Sequence, residues 1–305
     1  MDEFRGLLER HVRPDGATAI DGVRICRSDQ HGGPRTSMSG TVLAVIATGG
    51  KRLALGERVF DYRVGQYLVA SVDLPVTGHL LDDEPGRSSL GFGMTLEPAE
   101  IAELLLTGGP VTAPPPAGPG IAVSDAPAEL MDAIVRLLRL LDRPQDRIAL
   151  APLVKREILW RLLTGEQGDA VRQLGLADSR LSHVRRAVRW IRENYPHPVR
   201  VDDLARLAGM SVSAFHRNFQ DVTAMTPLRF QKQIRLQEAR LLLARGSKDI
   251  TTVAYEVGYR NLSQFSREYR RQFGVPPSLD SLQRHEDELP ELVRASGFPG
   301  RARRS

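Results

Sequence analysis

Two rhythms of apolar residues divide the chain. Between 41 and 96 the apolar positions come in short runs: TVLAVIA, KRLAL, RVFDYRV, QYLVASV, PVTGHLL and LGFGMTL. Gly49-Gly50, Gly56 and Gly65 separate several of them. Short runs rich in β-branched and aromatic residues, bounded by turn residues, predict strands. Six at this spacing predict a β-barrel or sandwich. Before about residue 30 there is one short amphipathic helix candidate and little else. PAEIAELLL (98–106) reads as a helix with Pro98 in its first turn. GGPVTAPPPAGPG (108–120) reads as a rim loop or hinge.

Past that stretch the period lengthens. Leu130, Ile134, Leu137, Leu138 and Leu141 make one helical stripe. PLVKREILWRLLTG makes a second helix, with Pro152 at its start and Gly165 at its end. Such a stripe serves core packing or a dimer seam, and both readings stay open. HVRRAVRWIRENY places Val184, Val188, Ile191 and Tyr195 on one face and stops at Pro196-His197-Pro198.

A repeat follows. LARLAGMSVSAFHRNFQ (204–220) lies over VAYEVGYRNLSQFSREYR (253–270). Ala205 and Gly209 match Ala254 and Gly258 at a separation of 49. Ser213, Phe215, Arg217, Phe219 and Pro227 match Ser263, Phe265, Arg267, Tyr269 and Pro277 at 50. One residue has been inserted just after the glycine, as expected of a duplicated unit that tolerates an indel in a turn. In each copy a small residue allows close helix approach, and the glycine ends the first helix at positive φ. Ser211 and Asn261 are expected N-caps of the second helices. Asp202 and Thr251 are candidate caps of the first helices, with Asp249 competing in the second copy. Phe215 with Phe219, and Phe265 with Tyr269, face inward as i,i+4 pairs. The opposite face carries Ser213, His216 and Arg217, or Ser263, Gln264 and Arg267. Helix, glycine turn and helix with an exposed polar second element is the helix-turn-helix arrangement.

Those side chains suit base reading. Arg forks onto guanine, Gln pairs with adenine, and Ser bonds to several base edges. Arg260, Arg270 and Arg271 are candidate phosphate contacts, and His216 is a candidate for either role. LRFQKQIRLQEARLLLA (228–244) predicts a connecting helix about 25–30 Å long at ~1.5 Å per residue. That suits two recognition helices in successive major-groove segments of a duplex whose turn is about 34 Å.

Charge sharpens this picture. Residues 181–285 hold 18 Lys/Arg against 9 Asp/Glu, whereas residues 1–180 hold 20 against 24. A basic third joined to a mildly acidic remainder fits a polyanion-binding module attached to something else. The bland alternative is a solvated arginine-rich surface. Cys26 is the single cysteine, which excludes an intramolecular disulfide and argues against a cysteine zinc site. Arg24 and Arg27 beside it raise the alternative of a reactive thiol. His11, His31 and His79 are scattered, so neither a metal nor another cofactor is expected. No apolar run reaches the ~20 residues of a membrane span and no leader pattern is visible; a cytoplasmic protein with no membrane partner is expected.

Residues 181–278 resemble the DNA-binding domain of the AraC/XylS family of bacterial transcription regulators. The resemblance rests on LARLAGMSVSAFHRNFQ, TPLRF, IRLQEARLLL and ITTVAYEVGYRNLSQFSREYRRQFGVPPS. Two departures stand out: Ala224 where glycine is common, and Leu279-Asp280 in place of an aromatic-basic ending. Residues 20–178, through GGKRLALGERVFDYRVGQYLVASVDLPVTG and PLVKREILWRLLTGEQGDAVRQL, resemble the cupin-like N-terminal module of one AraC subfamily.

Together the resemblances imply an α+β chain: a small N-terminal cupin-like β-barrel with helices, then an all-α domain of two helix-turn-helix units. The implied divisions are a ligand-sensing barrel (1–120), a helical dimerisation or linker segment (121–180), a DNA-binding domain (181–285) and a flexible tail (286–305). The implied function is ligand-controlled transcription regulation rather than catalysis. Its partners are double-stranded DNA, a small-molecule effector, a second copy of the chain and, as a further candidate, RNA polymerase. The alternative is a catalytic cupin-like barrel fused to a nucleic-acid-binding module.

Overall fold

A computed structural model describes residues 1–28, 35–81, 89–107, 119–177, 179–245 and 248–283. Helix α1 (Asp2–His11) precedes eight strands: β1 (Val23–Ser28), β2 (Arg35–Met38), β3 (Val42–Thr48), β4 (Gly50–Leu55), β5 (Arg58–Arg63), β6 (Gln66–Ala70), β7 (Pro75–Leu80) and β8 (Ser89–Thr95). Helix α2 (Pro98–Thr107) and strand β9 (Ile121–Asp125) follow. The strands form two antiparallel sheets, ordered β1-β8-β3-β6-β9 and β2-β7-β4-β5. The six expected strands are present. Gly49, Gly56 and Gly65 turn between them at positive φ, which a side chain would resist.

Strands β1, β2 and β9 lie outside the expected set. β9 pairs with β6 from Gln66↔Asp125 to Ala70↔Ile121, so the sheet takes its edge from beyond residue 120. Most of the proline-rich stretch, and the tail from 286, lie outside the described residues.

Helices α3 (Ala128–Arg139) and α4 (Pro144–Thr164) come next, then α5 (Gly168–Gly175). The α3 stripe is core. Leu130, Ile134, Leu137 and Leu138 are at most 2% exposed, packed within the chain. A seam between copies through this stripe is therefore corrected: α4 and α1 already cover it. On α4, by contrast, Ile148, Leu150, Leu153 and Trp160 are exposed.

The last third is helical: α6 (Arg180–Glu193), α7 (Val201–Leu207), α8 (Val212–Thr223), α9 (Pro227–Ala244), α10 (Ile250–Glu256), α11 (Leu262–Phe273) and α12 (Pro277–Gln283). One apolar core runs without a break from Phe4 through the sheets to Phe215, Phe219, Phe230 and Ile234. A second core holds Leu236, Ala239, Leu243, Val253, Phe265 and Tyr269. Tyr195 packs against both.

The turn after α8 is the joint between barrel and helices. The Gly120 amide donates to Val222 O at 3.0 Å, and Arg58 Nη1 donates to Asp221 O at 2.9 Å. Gly56 sits so close that a Cβ there would lie 2.8 Å from Ala224 O. Arg229 pairs with Glu57, Arg192 with Asp73, and Gln237 donates to Ser37 O.

Candidate nucleic-acid interface

Each recognition-helix candidate is built from local rules. Ser211 Oγ accepts from the Ala214 amide and starts α8; Asn261 Oδ1 accepts from the Gln264 amide and starts α11. Both were expected, because a short acceptor at the N-cap satisfies a free helical N–H. Asp249 caps α10, taking the amides of Thr251 and Thr252. The Thr251 assignment is therefore corrected in favour of the stronger acceptor, a carboxylate. Asp202 is no cap either: Arg200 holds that place and Asp202 lies in the first turn, where its charge suits the helix dipole.

The turns use glycine for two reasons. Gly209 takes φ +64 in open space. Gly258 takes φ +91, and a Cβ on it would lie 2.2 Å from Pro196 O. The second glycine is thus demanded by a close approach as well as by backbone conformation. Matching bonds follow: Met210 N to Ala205 O and Tyr259 N to Ala254 O, both 2.9 Å. Tyr259 therefore corresponds to Met210, and the inserted residue is Arg260.

Aromatic pairs seat both helices. Phe215 and Phe219 lie 5.4 Å apart between ring centroids, Phe265 and Tyr269 5.5 Å, and all four are fully buried. That leaves Ser213, Arg217, Ser263, Gln264 and Arg267 exposed and His216 half-buried beside Phe215. Arg260, Arg270 and Arg271 are exposed too. Among the described residues, Arg217, Arg260, Arg267, Arg270 and Arg271 form no side-chain hydrogen bond or salt bridge. Several arginines on the barrel side are engaged, as in Arg52–Asp61, Arg136–Glu157 and Arg139–Glu3.

Three features escaped the sequence reading. Arg235 on α9 donates to Tyr195 O, Pro196 O and His197 O, and also to Gly258 O. It ties the connection before α7 to the turn of the second unit. Arg240 forks onto Asp280 at 2.7 and 3.1 Å, Tyr269 OH donates to the same carboxylate, and the guanidinium lies 4.4 Å above the Phe273 ring. This explains why α12 forms despite the Leu279-Asp280 ending. Finally, Glu268 accepts from Lys232, Tyr259 and Gln264. Burial alone would raise its carboxyl, but these hydrogen bonds outweigh that and hold it below the ordinary glutamate value. Burial and the bond to Glu268 push the Tyr259 phenol up. The network borders a cleft of about 670 Å³ that His197, Lys232, Arg235, Arg260 and Gln264 also line.

Cys26 is 3% exposed. Burial pushes its thiol up despite the nearby charges of Arg24 and Lys51, which is the opposite of a reactive thiolate.

With this geometry in view, comparison with known proteins is informative. Residues 19–170 match the model of the AraC-type transcriptional regulator N-terminus, and residues 204–279 match a helix-turn-helix domain. The chain is 26% identical over 148 residues to the HTH-type transcriptional activator RhaS of Escherichia coli O1:K1 / APEC, covering 48% of this chain and 53% of RhaS. It is 32% identical over 148 residues to a probable thc operon regulatory protein of Rhodococcus erythropolis, covering 46% and 44%. The chain thus spans about half the length of these curated relatives. Among solved structures, apo ToxT from Vibrio cholerae aligns over 87% of this chain and 99% of its own, with TM-score 0.55 at 11% identity; at that identity the likeness concerns the fold. The chain belongs to the AraC family of transcription regulators.

Proposed function

We propose that this protein is a sequence-specific DNA-binding transcription regulator of the AraC type, controlled by a small molecule held in its N-terminal barrel. The observation that carries this reading is the set of uncommitted arginines on and beside two capped helices, at opposite ends of a rigid spacer. Helix α9 has 18 residues, about 27 Å at ~1.5 Å per residue, close to one turn of duplex DNA. Ser213, His216, Arg217, Ser263, Gln264 and Arg267 are the base-reading set. Arg260, Arg270 and Arg271 grip phosphates. The effector reading draws support from a structural neighbour, ToxT, whose structure with an unsaturated fatty acid bound aligns with TM-score 0.53.

No helix among the described residues is long and apolar enough to cross a membrane, and the protein's proposed place is the cytoplasm. RNA polymerase is a proposed partner, as for any regulator acting at a promoter. A second copy is another, meeting through the exposed face of α4 rather than the buried α3 stripe.

The test is a selection-and-sequencing profile of bound duplexes, with salt titration. Arg267→Ala should cost about 1–3 kcal/mol at one base pair and relax the preference there. Arg271→Ala should weaken all sequences alike and flatten the salt slope. An Arg267→Ala profile that keeps every preference and loses only affinity overturns that residue's place in base reading.

A further inference from the structure

Gln264 is exposed on the reading face of α11, yet its amide is not free to turn. Its Nε2 donates to Glu268 Oε1 at 3.3 Å, one helical turn further on. Glu268 is itself held from two other elements. Lys232 Nζ on α9 reaches Oε1 at 2.9 Å, and Tyr259 OH in the preceding turn reaches Oε2 at 2.8 Å. The Glu268 side chain is 13% exposed.

An ionised carboxylate only accepts hydrogen bonds. It therefore takes the NH₂ end of the Gln264 amide and turns away the carbonyl. This leaves the Gln264 Oε1 and its second N–H facing outward as an adjacent acceptor and donor. Adenine presents the complement in the major groove, an N6–H₂ donor beside the N7 acceptor. A carboxylate near a phosphate backbone also opposes DNA binding by like charge. Lys232 offsets that charge from within the protein.

We infer that Glu268 is a positioning residue: it fixes the orientation of Gln264 and so confers on the second unit a preference for adenine at one base pair. The inference rests on the DNA-binding reading proposed above. The first unit lacks the device. Ala214 stands where Gln264 would be, and Asn218 stands in the place of Glu268, its amide directed to Met210 Sδ at 3.4 Å. A solely structural role, tying α11 to α9, is the rival explanation.

The experiment uses the full chain and selection with sequencing from a random duplex library. It compares the wild type, Gln264→Ala, Glu268→Ala, the isosteric Glu268→Gln and the double variant Gln264→Ala/Glu268→Ala. Glu268→Ala should lower the preference at the base pair read by Gln264 about tenfold and leave the other positions within about twofold. Glu268→Gln should broaden the same position, since a carboxamide there can accept or donate. The double variant should match Gln264→Ala alone, because a positioning residue has nothing left to position.

If both Glu268 variants weaken all sequences alike and keep the wild-type preferences, the role is structural and the inference fails. Glu268→Gln preserves shape, so it separates the two roles even where the alanine variant unfolds. A Gln264→Ala profile identical to wild type also overturns the inference. A wild-type chain that selects no duplex is a different failure: it overturns the DNA-binding reading first, and the inference with it.

Discussion

In the first helix-turn-helix unit, Phe215, Phe219 and Phe230 belong to the core that runs on into the barrel; in the second, Phe265 and Tyr269 close a core of their own with Leu236 and Val253. The contrast is sharpest at the turn after the second helix of each unit. Both turns hold a left-handed residue, Ala224 at φ 56 and Gly274 at φ 80. The glycine faces open space, whereas Ala224 packs against the shared core and its carbonyl meets Gly56. Two copies of one local design have thus been given different neighbours. The barrel holds the first unit directly, and the second through α9 and the Tyr195–His197 connection that packs against Gly258.

Breaking the buried anchor of the second unit should produce the largest effect. Asp280→Ala leaves the Arg240 guanidinium without its carboxylate, a loss of about 3–5 kcal/mol for a buried pair. Hydrogen exchange should rise across α10 and α11 and stay unchanged across α8. Loss of protection in α8 as well would mean that the two cores unfold as one.

The joint itself comes next. Gly56→Ala and Gly65→Ala impose the same left-handed backbone cost, about 1–2 kcal/mol. A Cβ at Gly56 also strikes Ala224 O, while one at Gly65 meets nothing within 4 Å. The first variant should therefore melt lower than the second and alter base preferences on the first unit's side of the site. Equal melting temperatures would show that the joint yields freely.

A smaller effect separates the two turns. Gly274→Ala should cost about 1 kcal/mol, from backbone alone. Ala224→Gly should shift stability by less than about 0.5 kcal/mol, since relief of backbone strain is set against the loss of a packed methyl worth about 0.8 kcal/mol. Denaturant titration of both variants checks the pair.

The smallest effect is in acid. Glu268 has a lowered value in the folded state, so its stabilisation is present above the ordinary glutamate value and fades as pH falls through the lowered one. The corresponding residue in the first unit is Asn218, which does not titrate. Protection of α11 should weaken in that window before protection of α8, and in Glu268→Gln the difference should vanish.

What was legible in the sequence was local. Caps at Ser211 and Asn261, glycine turns and aromatic pairs each depend on a few neighbouring residues, and a repeat displays them twice. Strands β1 and β9 depend on distant partners, β8 and β6. Their mixed residues, VRICRS and IAVSD, carry no clear alternation of their own. The α3 stripe was visible, but whether a helix of the same chain or of another covers it depends on how the whole folds. In the candidate site the exposed polar faces of α8 and α11 were legible, whereas the groups that hold them were less so. Arg240 and Asp280 are forty residues apart, and no spacing rule joins them. Gln264 and Glu268 do stand four apart on one helix, a signal that was there to be used.

The unbroken core from Phe4 to Ile234 bears on how the chain can be taken apart. A cut before residue 181, the obvious place to isolate a DNA-binding fragment, runs through packed interior and strips Gly56 and Gly120 from the turn at Val222 and Ala224. The change from one core to the other falls between Ile234 and Leu236, inside a continuous helix where no clean excision exists. A fragment beginning at 181 therefore keeps the environment of its second unit and alters that of its first, and affinities measured on it describe two units in unequal states of repair.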